Sequence, residues 1–448
     1  MKTLLFLDNW LIERQACLER VWGKPHFVKE TFTESPPNCL GYGGWHTVFH
    51  DARLGKYVMY LAVYPPEADP GTFVVRLQSD DLYHWPNPGF DASVSPAWRG
   101  FQDVVVAENA ESGYAFWPEF IHPLTGTPHA DRGYLMTSFH PDWWKPGKKV
   151  RQSVFGFSPD GLRFTIDYDH PWQPTTVDAW CGSLWDAPSG TYRIHSRPYY
   201  GDRRIAVVTT TDWKHFTPRQ VVLQPDILDP LGTEFYSMPV IPYEDVYLGL
   251  LQVLRTDTFE ERRVKGSGRV ETELTYSYNG LNWYRTVREP LLPVREYGQV
   301  GGGQNYGMDM VRTPDDKLLF FCHAALGEHY AYPDMIKAGL KTQGFLTPLL
   351  YELRLDGFCG LKTWGKDGLL RTRAIVPQSG TLSLNVRTTR HTAVQVQLGG
   401  HLGVGWASDS RRGGDAGGGA VRHPREVPGA HRQSTGGRLA VTVIPMPP

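Results

Sequence analysis

The chain has 448 residues, of which 41% are hydrophobic and 13% aromatic, enough for one large repeat domain and a smaller appendage. Its formal net charge of −1 gives no field that would favour nucleic acid or an anionic membrane, so neither is a predicted partner. The five cysteines are scattered and form no CxxC or Cys/His cluster, which argues against a zinc site and indicates free thiols in a reducing compartment. No metal or other cofactor is predicted.

The N-terminal segment is predicted to begin with a strand at residues 4–7, a turn at Asp8 and Asn9, and a second extended stretch at 10–12. Its apolar run stops at Asp8, which is too short for the hydrophobic region of a signal peptide. No run of about 18 apolar residues is present, so no transmembrane helix is expected and the cytoplasm is the expected compartment. Residues 22–40, interrupted by Pro and Gly, are predicted to form a loop.

Alternating apolar residues then predict five successive sets of strands. The first set comprises residues 46–50, 57–63 and 73–77, with a fourth strand expected to follow. The later sets are predicted at 115–121, 133–139 and 152–157; at 180–185, 190–195 and 204–209; at 236–241, 246–253 and 271–276; and at 306–311, 317–322 and 349–354. Helical windows are few, and the best of them, residues 332–340, is short.

A seven-residue turn recurs at the end of the first four sets. Its copies are SDDLYHW at 79–85, SPDGLRF at 158–164, TTDWKHF at 210–216 and SYNGLNW at 277–283. Each copy has Ser or Thr first, Asp or Asn third and a large aromatic residue seventh. Since Asp and Asn accept hydrogen bonds from backbone amides two residues on, the motif predicts a tight turn between two strands. Four copies indicate a repeat architecture.

Five antiparallel strand sets in succession predict an all-β fold, a five-bladed β-propeller over residues 1–365, in which the N-terminal strand completes the last blade. A pair of packed sheets, a β-sandwich, is the alternative. Residues 366–398 are predicted to form a partial C-terminal β element, with strands at 368–372 and 381–386. Residues 399–448 are rich in Gly and Arg, lack strand periodicity, and are predicted to be a disordered tail; the product of a frameshift and a basic arm remain open.

The order of these features resembles the five-bladed propeller glycosidases of the invertase and arabinanase type, glycoside hydrolase families 32 and 43 and their unclassified relatives. The resemblance covers roughly residues 2–395 and rests on LFLDNWLIE at 5–13, WDAPSGTY at 185–192, TEFYSMPVIPY at 233–243, SYNGLNW at 277–283 and LDGF at 355–358. It implies a pocket on the central axis, lined by the first strand of each blade, where carboxylates cleave a small oligosaccharide or glycoside.

Three acids stand at the predicted inner-strand positions and are the catalytic candidates that the resemblance implies. Glu234, just before an aromatic strand, is the candidate general acid. Asp178 is the candidate orienting acid and Glu119 the candidate second catalytic carboxylate. Each of them could instead be an ordinary acid at a strand end.

Substrate-binding candidates occupy similar places in several sets. Aromatic residues can stack on a sugar or simply pack a sheet, and the candidates are Trp45, His46, Trp117, Trp180, Tyr236 and Asp309. His46 and His50 share one face of a predicted strand, where a role with sugar hydroxyls or in the fold is favoured over metal binding. Arg197, Arg203 and Arg204 could meet an acidic sugar, although a solvated surface is the favoured interpretation.

The sequence departs from the families' pattern in its first set. The families place an Asp on the inner strand of the first blade, but residues 43–50 contain no acid before Asp51, which is in a predicted turn. Asp8 could replace it only if its strand reaches the axis. Two rival functions therefore stay open: a carbohydrate-binding propeller without catalytic activity, and a scaffold for protein interactions. The sequence does not predict an oligomeric state.

Overall fold

The computed structural model describes residues 3–36, 39, 41–64, 72–94, 97–113, 118–140, 152–175, 182–199, 202–256, 268–329, 346–364, 367–375, 385–386, 392–398, 401–403 and 437–445. Their regular structure is β-strand throughout, apart from two short 3-10 turns at Ala97–Gly100 and Ala130–Arg132. The all-β prediction is therefore confirmed for this part of the chain. The predicted helical window at 332–340 lies outside it.

The strands are numbered in chain order. The first fifteen are β1 Ile12–Ala16, β2 Leu18–Trp22, β3 His26–Glu30, β4 Gly41–Asp51, β5 Lys56–Tyr64, β6 Phe73–Ser79, β7 Val106–Ala107, β8 Pro118–Pro123, β9 Tyr134–Phe139, β10 Ser153–Ser158, β11 Arg163–Asp167, β12 Gly182–Asp186, β13 Thr191–Ser196, β14 Ile205–Thr210 and β15 Gln220–Leu223. The others are β16 Thr233–Ser237, β17 Val240–Tyr243, β18 Val246–Thr256, β19 Gly268–Ser277, β20 Tyr284–Leu292, β21 Gln304–Arg312, β22 Lys317–Ala325, β23 Leu346–Arg354, β24 Cys359–Thr363, β25 Gly368–Ile375, β26 Thr392–Leu398, β27 His401–Gly403 and β28 Gly437–Pro445.

The chain divides into two compact units. The repeat unit is Pro25–Leu353, and the terminal unit combines Met1–Lys24 with Arg354–Pro448. In the terminal unit, the strands pair in the order β1-β25-β28-β26-β27, while β2 pairs with β24. The first strand of the chain thus begins at Ile12, and residues 4–7 are not a strand. Two segments of the predicted disordered tail, β27 and β28, are strands in this sheet, because each finds an antiparallel partner elsewhere in the chain.

The repeat unit contains the predicted strand sets. The sheets run β4-β5-β6, β7-β11-β10-β9-β8 and β12-β13-β14-β15, and a nine-stranded sheet holds the fourth and fifth sets, β16–β20 and β21–β23. Those two sets join where Val270 of β19 pairs in parallel with Gln304 of β21. The fourth strand expected in the first set is replaced by an isolated bridge between Val75 and Val104.

The strand that completes the fifth set comes from the predicted loop at 22–40. It is β3, which pairs antiparallel with β23, with Lys29 opposite Leu350 and Phe27 opposite Tyr351. The prediction that the N-terminal strand at residues 4–7 completes the last set is therefore wrong, because those residues are not a strand and β3 completes the set instead. Sequence alternation missed β3 because its residues, HFVKE, are half-exposed at a sheet edge.

The core of the repeat unit consists of apolar layers between successive sets. The layers contain Tyr60 and Met136 between the first and second sets, Phe155 and Tyr192 between the second and third, Ile205 and Val253 between the third and fourth, Leu254 and Tyr306 between the fourth and fifth, and Phe321 and Val48 between the fifth and first. First strands also meet: β4 contacts β8 and β21, and β12 contacts β8 and β17. Each set therefore packs against the next one, and the fifth set packs against the first.

Within the described residues, no helix reaches the length and hydropathy needed to cross a membrane. Four of the five cysteines, Cys17, Cys39, Cys322 and Cys359, are free thiols, as the sequence predicts. The fifth, Cys181, lies outside the described residues.

Candidate functional site

Glu234 lies near the start of β16, on the first strand of the fourth set. Its neighbour Phe235 is fully buried in the layer between the third and fourth sets, so Glu234 points away from that layer. Its carboxylate forms an ion pair with the guanidinium of Arg203, whose side chain is 3% exposed, whereas that of Glu234 is 38% exposed. A charge-assisted bond to a buried guanidinium fixes the carboxylate while one side of it faces solvent.

Arg197 and Arg203 both lie against the ring of Tyr236. The guanidinium carbons of Arg197 and Arg203 are 4.4 and 5.4 Å from the ring centroid, within cation–π range. Nε of Arg197 also donates to the carbonyl oxygen of Tyr236 at 2.9 Å. Both arginines are buried, so the favoured prediction of a solvated surface is wrong for them. They are buried because the segment between β13 and β14 places them against Tyr236 of β16.

Arg204 lies apart from this pair. Its guanidinium bonds to Asp202 through Nε at 2.8 Å and Nη2 at 2.6 Å. Arg204 is 39% exposed, so the expected surface position is found for this arginine.

A group of rings extends from Tyr236 into the fifth set. The ring of Tyr236 meets the edges of Tyr306 at 5.2 Å and His329 at 5.0 Å, and Tyr306 stacks on His323 at 5.3 Å. Burial raises the pKa of Tyr306 well above its usual range, so its hydroxyl stays a neutral donor, to Oε1 of Gln304 at 2.5 Å. Two tyrosines and two histidines thus form one group of rings, which starts at Tyr236, two residues after Glu234 in the chain.

Asp309 lies on β21 where that strand adjoins β4. Its Oδ2 accepts the backbone N–H of Val48 at 2.9 Å, and its Oδ1 accepts that of Met310 at 2.8 Å. Burial raises the pKa of Asp309 to about 7 despite these bonds, because desolvation disfavours the charged form. Asp309 therefore links the first and fifth sets, and a contact between it and substrate remains a prediction.

His122, on β8, was not among the sequence candidates. Its Nε2 lies 3.1 Å from Oγ of Ser183 on β12, and burial lowers its pKa to about 4. The ring is therefore neutral at physiological pH and joins the first strands of the second and third sets. The only signal available in the sequence was a histidine directly after the predicted inner strand at 115–121.

The remaining candidates are placed only in part. Glu119 belongs to β8, and Trp45 and His46 belong to β4, but their side chains are outside the described part of the structure. Asp178, Trp117 and Trp180 lie outside it altogether. Because the register of β4 shifts between Gly43 and Thr47, simple alternation does not fix the face of His46. Among the described residues, no group of three or more His, Cys, Asp or Glu side chains could hold a metal ion.

The acids available to the first set are structural. Asp51, at the end of β4, accepts hydrogen bonds from the Tyr134 hydroxyl and from the backbone N–H of Arg53, the latter at 2.9 Å. Asp8 accepts the backbone N–H of Trp10 at 2.7 Å and belongs to the terminal unit. Asp51 is thus the last residue of β4, and no acid precedes it on that strand.

No family model matches the chain, and no curated protein matches it. Similar solved structures include a thermostable family-43 glycoside hydrolase, 15% identical, covering 77% of this chain and 98% of its own, with a TM-score of 0.45. A putative glycoside hydrolase from Parabacteroides distasonis is 15% identical over 76% of this chain and 97% of its own, with a TM-score of 0.43.

An N-acetylgalactosamine deacetylase from F. plautii, solved with blood group B trisaccharide, is 12% identical over 76% of this chain and 99% of its own, with a TM-score of 0.47. The neighbours thus include glycoside hydrolases, one of them from family 43, which the sequence resembles.

Proposed function

We propose that the chain is a glycoside hydrolase that acts on a small oligosaccharide or glycoside, in a pocket on the axis of a five-bladed β-propeller. The cyclic order of the apolar layers and the contacts among β4, β8, β12, β17 and β21 support the five-bladed ring. Such an arrangement directs first-strand residues of different sets toward one axis. A β-sandwich has one apolar core between two sheets, whereas five apolar layers lie between the strand sets here.

The observation that carries the proposal is the environment of Glu234. A partly exposed carboxylate is held by the buried Arg203, whose guanidinium carbon also lies 5.4 Å from the centroid of the Tyr236 ring. Cleavage of a glycosidic bond needs a proton for the leaving oxygen and a carboxylate facing the oxocarbenium-like centre. We assign the proton donation to Glu234, with Glu119 as the second catalytic carboxylate and Asp178 as the orienting acid.

Substitution of Glu234 by Gln tests this assignment. The amide keeps an acceptor for Arg203 and has nearly the same shape, but it cannot donate an acidic proton. We expect kcat on a responsive aryl or natural glycoside to fall by about 100-fold or more, measured as product release from a glycoside panel.

The matched control is Glu244→Gln, since Glu244 is an exposed residue of the β17–β18 turn in the same set. This control should keep the wild-type rate. Equal rates for wild type and Glu234→Gln, in protein with an unchanged far-UV spectrum, would remove the assignment.

A second function is favoured by the first set, where β4 supplies no acid before Asp51 and Asp51 is held by Tyr134 and Arg53. Under this alternative, the pocket binds carbohydrate without cleaving it. Isothermal titration against the same glycan panel distinguishes the two. Saturable heat without any released product supports the binding protein, and stoichiometric product release eliminates it.

A further inference from the structure

An apolar loop surface projects from the repeat unit beside the candidate site. The segment 224–232 connects β15 to β16 and carries three aliphatic side chains, Ile227, Leu228 and Leu231, which define this surface. They are 97%, 73% and 85% exposed. Side chains of this kind are scattered singly on ordinary surfaces, whereas three on one short loop mark a contact site.

Ion pairs fix the base of this loop. Nη1 and Nη2 of Arg288 hold the two oxygens of Asp226 at 2.9 and 2.6 Å. Nη1 of Arg285 bonds to Oδ1 of Asp229 at 2.5 Å, and the backbone N–H of Asp226 donates to Oδ2 of Asp229 at 2.8 Å. The acidic side chains are thereby turned toward β20. A loop held in this way presents its aliphatic residues outward without a large entropy loss on binding.

The same ion pairs balance the negative charges of the loop with the positive charges of Arg285 and Arg288. Arg288 holds the pKa of Asp226 at about 2, and Asp229 is buried against Arg285. The whole chain has a net charge of −1, which gives little repulsion between two copies. Two such surfaces can therefore approach each other without placing like charges together.

The strand whose arginines hold the loop, β20, lies at the edge of its sheet. Val287, next to Arg288 in sequence, is another exposed aliphatic residue, and β20 pairs only with β19 among the described strands. Leu231 is three residues before Glu234 in the chain, so their Cα atoms are at most about 10 Å apart. The apolar loop surface thus lies at the side of the candidate site where β16 begins.

We propose that the apolar loop surface is the contact through which two copies of this chain form a dimer. A side chain as exposed as Ile227 has almost no neighbours of its own chain, so it cannot be the wall of a concave site for a small ligand. An uncharged apolar surface is chemically complementary to itself, as an interface with twofold symmetry requires. This inference does not depend on the proposed glycosidase activity.

The test compares oligomeric states by sedimentation velocity across a protein concentration series. The wild-type chain should sediment as a dimer and dissociate on dilution. The double variant Ile227→Glu/Leu231→Glu places four carboxylates at a twofold contact. It should be monomeric at concentrations at least 100-fold above the wild-type dissociation constant.

Leu54→Glu is the matched control, because Leu54 is an exposed aliphatic residue, 38% accessible, in the hairpin between β4 and β5. It should leave the dimer intact, and the far-UV spectra of all three proteins should agree. A monomeric wild type at every concentration, or a double variant as dimeric as the wild type, overturns the proposal. Binding of an apolar dye that the double variant abolishes, with a monomeric wild type, would instead assign the surface to an apolar ligand.

Discussion

The carboxyl group of Asp309 combines two opposing effects on one residue. Backbone amides of Val48 and Met310 favour its charged form, while burial favours its neutral form and prevails, which raises the pKa to about 7. The amide of Val48 belongs to β4 and Asp309 to β21, so the residue joins the first and last strand sets. Its protonation therefore affects how well those sets hold together.

This pKa predicts the pH dependence of stability. Between about pH 4, where an unfolded aspartate titrates, and pH 7, the folded chain binds more protons at this site than the unfolded chain. The free energy of unfolding should then fall as the pH rises through this window, by up to about 4 kcal/mol. Asp309→Asn, which cannot ionise, should lose that slope in urea titrations taken between pH 4.5 and pH 8.

The control for this experiment is Asp80→Asn, since the side chain of Asp80 is 81% exposed and pairs with Lys56 at the surface. It should keep the wild-type slope between pH 4.5 and pH 8. If Asp309→Asn also keeps the full slope, another group causes the pH dependence.

At the scale of elements, the recurring turn has the same hydrogen bonds in all four copies. The third residue, Asp81, Asp160, Asp212 or Asn279, accepts two backbone N–H bonds at 2.8–3.0 Å from the fifth and sixth residues of the motif. The residue after it has a positive φ in each copy, 66° at Leu82, 76° at Gly161, 59° at Trp213 and 69° at Gly280. The motif thus fixes the backbone of a tight turn, and its aromatic residue packs the turn against the sheet.

Steric contact favours glycine at position 161, in addition to the positive φ. A Cβ at this position would lie 2.4 Å from the Tyr60 hydroxyl oxygen and 3.2 Å from the Tyr134 ring. The Tyr60 hydroxyl also donates to the carbonyl oxygen of Gly161 at 2.9 Å. The turn of the second set therefore packs against Tyr60 on the middle strand of the first set. This contact links the two neighbouring sets.

Gly161→Ala should cost roughly 2–4 kcal/mol of unfolding free energy, because it adds both left-handed strain and a steric clash. Gly55→Ala isolates the strain, since Gly55 has a φ of 63° and its added Cβ would meet no atom within 4 Å. That control should cost about 1–2 kcal/mol. Urea unfolding measures both, and equal costs would show that the contact with Tyr60 does not constrain the turn.

At the scale of the whole repeat unit, β3 completes the fifth set from a position near the start of the chain. Phe27 meets the ring of Tyr351 edge-on at 5.6 Å, and the guanidinium carbon of Arg295 lies 4.1 Å from the Phe27 ring centroid. Arg295 also pairs with Glu30 at 3.0 Å. Residues more than 260 positions apart in sequence are joined here, so the contact restrains the unit as a whole.

Phe27→Ala should lower the unfolding free energy by about 1–2 kcal/mol, although Phe27 is partly exposed, because it loses both ring contacts. The loss should appear as one cooperative shift in tryptophan fluorescence and far-UV circular dichroism together. Tyr297→Ala, which removes an exposed loop aromatic residue, should change little. A Phe27→Ala transition that coincides with the wild-type curve would show that β3 does not stabilise the unit.

Strands and turns that depend on residues close together in the chain could be predicted from the sequence alone. Alternation at residues 57–63 and 133–139 placed β5 and β9, and the spacing of Ser158, Asp160 and Phe164 defined a turn, because side-chain direction and Asx hydrogen bonds act over a few residues. The packing of each set against the next could be predicted only because these strands and turns recur along the chain.

Only the tertiary structure decided which residues lie together at the candidate site. Arginine residues are usually solvated, and the sequence favours that interpretation for Arg197 and Arg203. Both are buried, because the chain between β13 and β14 packs them against Tyr236 of β16. The joining of Asp309 to Val48, 261 positions apart, and the pairing of β3 with β23 are equally invisible to local patterns. Such contacts depend on strand pairing between distant segments, for which the residues concerned carry no local signal.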